Sequence, residues 1–112
     1  GNVDFIYVPT DNVISSALPA LIKVTDEAKI PVIGGDSNMA KNRALAGVSI
    51  NYYRLGEQAG AMAAKILSGK AKAADMPIEY QKDMDLVINN KSAEILGISI
   101  PGNLEKQAEI IS

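Results

Sequence analysis

The sequence predicts an α/β fold, a Rossmann-like parallel sheet flanked by helices. Two short apolar runs, residues 3–8 and 31–33, stand on either side of a stretch whose apolar residues recur at three- and four-residue spacings. Each run is closed by Pro or Gly and followed by small polar residues. Strand, helix and strand in that order are the βαβ unit of a parallel sheet, and its crossover is expected to be right-handed.

Residues 3–8 (VDFIYV) are nearly continuously apolar up to Pro9, as expected of a strand buried on both faces. Thr10, Asp11 and Asn12 then supply N-cap candidates. Ile14, Ala17, Leu18, Leu21, Ile22 and Ala28 form one apolar stripe on a helix expected to run to about Lys29. Pro19 lies within it. Its missing N–H and its clash with the preceding turn predict a kink near Ser15 or two consecutive helical pieces. Residues 31–33, ended by Gly34, Gly35 and Asp36, make the second strand, and residues 44–50, interrupted by Gly47, are a third strand candidate. A second stripe, Leu55, Ala59, Met62, Ala63, Ile66 and Leu67, predicts a helix over 52–68 that Gly69 stops. Beyond the polar linker at 70–75 the alternation breaks. Residues 77–80 and 86–88 are short strand candidates on either side of the charged 81–85. Asn90 can cap a short helix to Leu96 closed by Gly97, and Pro101 opens a last amphipathic helix through Leu104, Ala108 and Ile111.

Composition narrows the function. With 112 residues, 47% hydrophobic and 21% charged, the chain is one globular domain at most. A net charge of -2 and a pI near 5.0 provide no clustered basic surface, so nucleic acid is not an expected partner. No apolar run approaches the roughly 20 residues that cross a bilayer. Cysteine and histidine are absent, which removes thiolate nucleophiles, disulfides, Cys/His metal sites and imidazole bases. Gly34 and Gly35 belong to neither a dinucleotide fingerprint nor a P-loop, so no cofactor, no metal and no catalytic residue are expected, and the chain is not expected to be an enzyme. It opens at Gly1 with no Met and enters a strand-like run at once. We therefore expect a preceding region of roughly two hundred residues, with any export signal, by typical two-domain lengths.

Two polar clusters follow the two strands: Thr10, Asp11 and Asn12, then Gly35, Asp36 and Ser37. Ligands of open α/β sheets bind beyond the carboxyl ends of the strands, so both clusters would face one crevice. Asp36 offers an acceptor-only carboxylate for hydroxyls or an ammonium, Thr10 and Asn12 offer donors and acceptors, and Gly35 lets backbone approach a ligand. The same residue types are favoured at caps and turns regardless of ligand, and spacing alone leaves both readings open. Asn51, ahead of Tyr52 and Tyr53, is either a hinge or crevice residue beside aromatic faces or an N-cap followed by two half-buried tyrosines. Asp83 and Asp85 read as a solvated turn rather than an acid/base pair.

The blocks Ile6-Tyr7-Val8-Pro9-Thr10-Asp11-Asn12, Ala28-Lys29-Ile30-Pro31-Val32-Ile33-Gly34-Gly35, Asn51-Tyr52-Tyr53-Arg54-Leu55-Gly56, Leu86-Val87-Ile88-Asn89 and Ala93-Glu94-Ile95-Leu96-Gly97-Ile98 follow one another along the chain. Together they closely resemble the ABC transporter substrate-binding protein family that includes tryptophan and tyrosine binders. The resemblance implies a partial type I periplasmic-binding-protein fold, two Rossmann-like lobes that close on a ligand across a hinge. It assigns residues of about 1–48 to the C-terminal lobe, about 49–76 to a hinge crossing and a helix on the N-terminal lobe, and about 77–112 to the return crossing and C-terminal helices. It implies ligand contacts from Thr10, Asp11, Asn12, Gly35, Asp36 and Asn51, with Glu often standing in the family where this chain has Asp36.

The function so implied is the solute-binding component of an ABC importer, taking a small polar solute, an amino acid, and docking on a membrane permease. Its place would be extracytoplasmic, in a periplasm or as a membrane-anchored lipoprotein. Lac-repressor-type regulators share the fold, so an effector-sensing domain is the alternative. Without its partner lobe the helix over 53–67 is expected to expose apolar surface and to drive self-association into a homo-oligomer.

Overall fold

The computed structural model describes residues 2–112. In chain order the elements are β1 (Ile6–Val8), α1 (Asn12–Glu27), β2 (Val32–Gly34), α2 (Ser37–Lys41), β3 (Ala46–Ser49), α3 (Tyr52–Leu67), β4 (Asp85–Asn89), α4 (Asn90–Leu96), α5 (Gly102–Glu105) and β5 (Glu109–Ile111), with one 3-10 turn at Ala73–Asp75. They form two compact units, Gly1–Ser49 with Asp85–Ser112, and Ile50–Met84. Among the described residues no helix is long and apolar enough to cross a membrane.

The first unit is a five-stranded sheet in the order β1-β2-β3-β4-β5. β1 with β2, β2 with β3 and β4 with β5 are parallel, while β3 and β4 are antiparallel. Register places Val8, Gly34, Gly47 and Val87 in one row across the sheet, and Tyr7, Ile33, Ala46, Ile88 and Ile110 in the next, on the opposite face. On the first face Val8 and Val32 pack with Leu18 and Ile22 of α1, Met39 of α2 and Ala44 to make the core. On the second face Ile98, Ile100, Pro101 and Leu104 stand over Ile33, Ala46 and Ile88 around a wholly apolar hollow of about 170 Å³.

Several expectations are corrected. β1 starts at Ile6 rather than at residue 3 and is buried on one face only, because Phe5 and Tyr7 are 58% and 59% exposed. α1 runs unbroken through Pro19 to Glu27 instead of as two pieces. Ser15 and Pro19 both lie on its exposed side, where a carbonyl that lacks a helical donor faces water, while Leu18 and Ile22 anchor the helix on the core. The five-residue α2 has no counterpart among the predicted elements. No strand forms at 77–80, since a strand exists through its pairing partner and the second unit contains no other strand. The predicted last helix ends at Glu105, and residues Glu109–Ile111 pair with Val87–Asn89 instead, where the ladder to β4 satisfies their backbone. Asn89, one residue earlier than expected, caps α4, and Gly97 closes that helix at φ 72°.

In the second unit α3 buries none of its residues. Asn51 caps it, its side-chain oxygen accepting from Arg54 N at 3.1 Å, and the extended stretch that follows the 3-10 turn is tied back by Gln58 Nε2 donating to Glu79 Oε2 at 2.8 Å.

Buried polar groups lock the two stretches of the first unit together. Asn89 Nδ2 donates to the Ala40 carbonyl at 2.9 Å, Asn89 Oδ1 accepts from Ser92 N at 2.9 Å, and Ser92 Oγ donates to the Arg43 carbonyl at 2.9 Å. Arg43, at φ 81°, also bonds Asp26 at the end of α1 through its guanidinium at 2.8 Å. Replacing Asn89 by Ala takes one of two donors from the Ala40 carbonyl, which keeps Arg43 N at 3.1 Å, and uncaps α4 by leaving the buried Ser92 N–H without its acceptor. The Asn89→Ala variant is expected to lose about 2–4 kcal/mol of stability in urea unfolding, whereas an exposed control such as Lys91→Ala stays within about 0.5 kcal/mol.

Candidate functional site

The tips of β1 and β2 are fastened to each other. Gly35 N donates to the Val8 carbonyl at 2.8 Å, and Thr10 Oγ1 donates to the Gly35 carbonyl at 2.8 Å. Each tip then turns into a helix through an aspartate cap. Asp11 Oδ1 accepts from Ile14 N at 2.9 Å and starts α1, while Asp36 Oδ1 accepts from Asn38 N at 2.7 Å and starts α2. Between the two helix starts lies an open cleft of about 200 Å³.

Its rim is polar: Thr10, Asn12, Ser15, Asp36, Asn38 and Asn42. Leu18 and Met39, both fully buried, form its floor. Many of the rim groups have no work to do inside the protein. Asp36 Oδ2, the side-chain amides of Asn12 and Asn38, the Ser15 hydroxyl and Asn42 Oδ1 have no hydrogen-bond partner among the described residues, because Asp36 uses one oxygen for its cap and Asn42 uses only Nδ2, on the Asn38 carbonyl at 2.9 Å. The Thr10 hydroxyl has committed its proton to Gly35 and is left as an acceptor. The rim therefore presents one carboxylate and no basic side chain, surrounded by amides and hydroxyls. Among the described residues no group of three or more potential metal ligands occurs.

Of the residues singled out from the sequence, the structure brings Thr10, Asn12 and Asp36 together around the cleft and leaves three outside its lining. Asp11 is turned into its helix cap, and Gly35 contributes only its backbone, to the Val8 and Thr10 bonds. Asn51 belongs to the second unit, where it caps α3 and its N–H donates to Gln81 Oε1 at 3.0 Å. Sequence reasoning passed over Ser15, Asn38 and Asn42. Ser15 stands one turn after Asn12, and Asn38 and Asn42 are four apart, spacings that share a helix face once both helices are known.

The pattern of the ABC transporter substrate binding protein family matches residues 1–111. The chain belongs to the ABC transporter substrate-binding protein family. A tyrosine-binding protein of Clostridioides difficile (strain R20291) is 38% identical over 96 residues, which are 86% of this chain and 28% of that protein. The ligand-free, open structure of a Clostridium difficile substrate-binding protein with adhesive properties superposes with a TM-score of 0.86 at 38% identity, covering 100% of this chain and 37% of the other. A Streptococcus pneumoniae ABC domain in complex with L-Trp gives a TM-score of 0.72 at 37% identity, covering 98% of this chain and 38% of the other. The chain thus spans well under half the length of each of these substrate-binding proteins.

Within this member of the substrate-binding family the two aspartates of the strand tips have different surroundings. Asp11 serves a 16-residue helix and lies outside the cleft lining. Asp11→Ala is expected to cost about 1 kcal/mol of stability in denaturant unfolding, with solute titrations of the full-length protein matching the parent.

Proposed function

We propose that the chain is part of the solute-binding component of an ABC importer and that its cleft holds the ammonium end of an amino acid. The observation that carries this reading is the set of unengaged polar atoms converging on one cleft, with the Asp36 carboxylate among them. An ammonium carries three donors and no acceptor, and Asp36 Oδ2, Asn42 Oδ1 and the Thr10 hydroxyl are acceptors left open on that rim. Asn12, Ser15 and Asn38 add adaptable donors and acceptors around it. The L-Trp complex and the tyrosine-binding protein among its relatives support an amino acid as the solute.

On this reading the first unit is one wall of the solute site, and the segment from Ile50 to Met84 crosses to and packs on a second lobe that supplies the other wall. Its solitary helix, with Tyr53 and Leu67 77% and 87% exposed, supports a surface meant to be covered. Lobe closure over the solute would create the form that docks on a membrane permease outside the cytoplasm.

Calorimetry of the full-length protein tests the proposal, with L-tyrosine and L-tryptophan as the first solutes. Binding of at least one is expected. Asp36→Asn is expected to weaken it about tenfold or more, since a hydrogen bond to a charged group contributes about 1.5–3 kcal/mol. Asn serves as well as Asp at an N-cap, so the thermal midpoint should hold. Unchanged affinity in Asp36→Asn would remove the carboxylate from the site.

A further inference from the structure

The carboxylate of the cleft owes its place to two residues that do not line the cleft. Gly34 at the end of β2 and Gly47 in β3 are direct partners in the sheet register, side by side on the face that carries the core. α2 begins immediately above them. A Cβ built on Gly34 would lie 2.6 Å from Met39 Cβ and 2.8 Å from Met39 Sδ. A Cβ built on Gly47 would overlap the carbonyl oxygen of Asp36 and come within 3.0 Å of Ser37 Cα. The Gly47 approach is to backbone alone, and the Gly34 approach is to the Met39 side chain, including the Cβ that is fixed to its backbone. The first turn of α2 thus rests on bare sheet backbone.

That seating fixes Asp36 at both ends. Its carbonyl, pressed against Gly47, accepts from Met39 N at 3.1 Å, and its carboxylate accepts from Asn38 N at 2.7 Å. The residue before it, Gly35, is held from the other side by Thr10 and Val8. At Gly47 every close atom is backbone, so an inserted methyl cannot be taken up by rotating a side chain and its displacement passes to the Asp36 backbone and on to the carboxylate.

We infer that Gly47, with its register partner Gly34, is a positioning residue for the Asp36 carboxylate and so a determinant of solute affinity acting from outside the site. This rests on the reading of Asp36 as the solute's carboxylate partner. A glycine kept merely for stability would lower the melting temperature and leave binding alone, or lower affinity by the same factor whatever residue 36 is.

The test is a double-mutant cycle on the full-length protein, titrated with L-tryptophan and L-tyrosine. Gly47→Ala is expected to weaken binding about tenfold in the parent and less than about twofold in the Asp36→Asn background, because the group it misplaces is already gone. Gly34→Ala is the milder probe, its methyl meeting only the Met39 side chain. It is expected to give the same non-additive pattern with about a threefold loss, and it decides the matter should Gly47→Ala fail to fold. Parental affinity in a folded Gly47→Ala protein, or equal losses in the two backgrounds, would overturn the inference while leaving the role of Asp36 standing. Failure of Asp36→Asn itself to weaken binding would overturn both.

Discussion

The buried side-chain amide of Asn89 is the constraint on which the first unit depends. That unit is made from two stretches of chain separated by the whole of the second, and β4 enters the sheet antiparallel to β3 after this detour. Strand pairing alone would tolerate a slip in register. Asn89 removes that freedom by donating to the Ala40 carbonyl, accepting from Ser92 N and giving its own N–H to the Leu45 carbonyl. Two of its partners, Ala40 in the last turn of α2 and Leu45 just before β3, flank the connection between those elements, so the same bonds that bring β4 home hold the far end of α2. With α2 fastened there and its first turn resting on Gly34 and Gly47, Asp36 has one place to be.

The sequence made the strand–helix–strand opening legible because its signals are local. Apolar runs at 3–8 and 31–33 bounded by Pro and Gly, and the stripe that begins at Ile14, signal their elements locally, although β1 itself is shorter than its run. What it obscured was non-local. Glu109–Ile111 carries a pattern that continues the helix expected from Pro101, and only the presence of β4 beside it turns the stretch into a strand. Residues 77–80 make the opposite case, a strand-like composition with nothing to pair with. The five residues of α2 are too few to show a period at all, and they hid Asn38 and Asn42 from the list of candidate contacts.

Caps and ligand contacts drew on one residue vocabulary, which is why spacing could not separate them at Thr10–Asn12 and at Asp36. At Asp36 the cap leaves room for a second role. A carboxylate has two oxygens and roughly four acceptor positions, and a cap occupies only one of them. Asp36 is a cap that also lines the cleft with one oxygen unengaged, while Asp11, of the same type and equally a cap, lies outside the lining. The difference lies in the neighbours. Asp36 follows a strand tip whose partner tip, through Thr10 and Asn12, forms the facing rim.

The charge on the rim also sets a division of labour for the proposed function. A free amino acid is a zwitterion, and this cleft offers one carboxylate with no Lys or Arg in its lining. An ammonium is stabilised there, whereas a second carboxylate brought to the same rim would meet like charge in a partly enclosed site, where interactions between charges are stronger than in bulk water. On the proposed function, an amino acid would enter with its ammonium toward Asp36 and its carboxylate turned away from that rim. A binding site divided in this way is complete only when both walls are present. On that reading the two charged groups of the solute would be met from different walls, and binding would favour the closed arrangement.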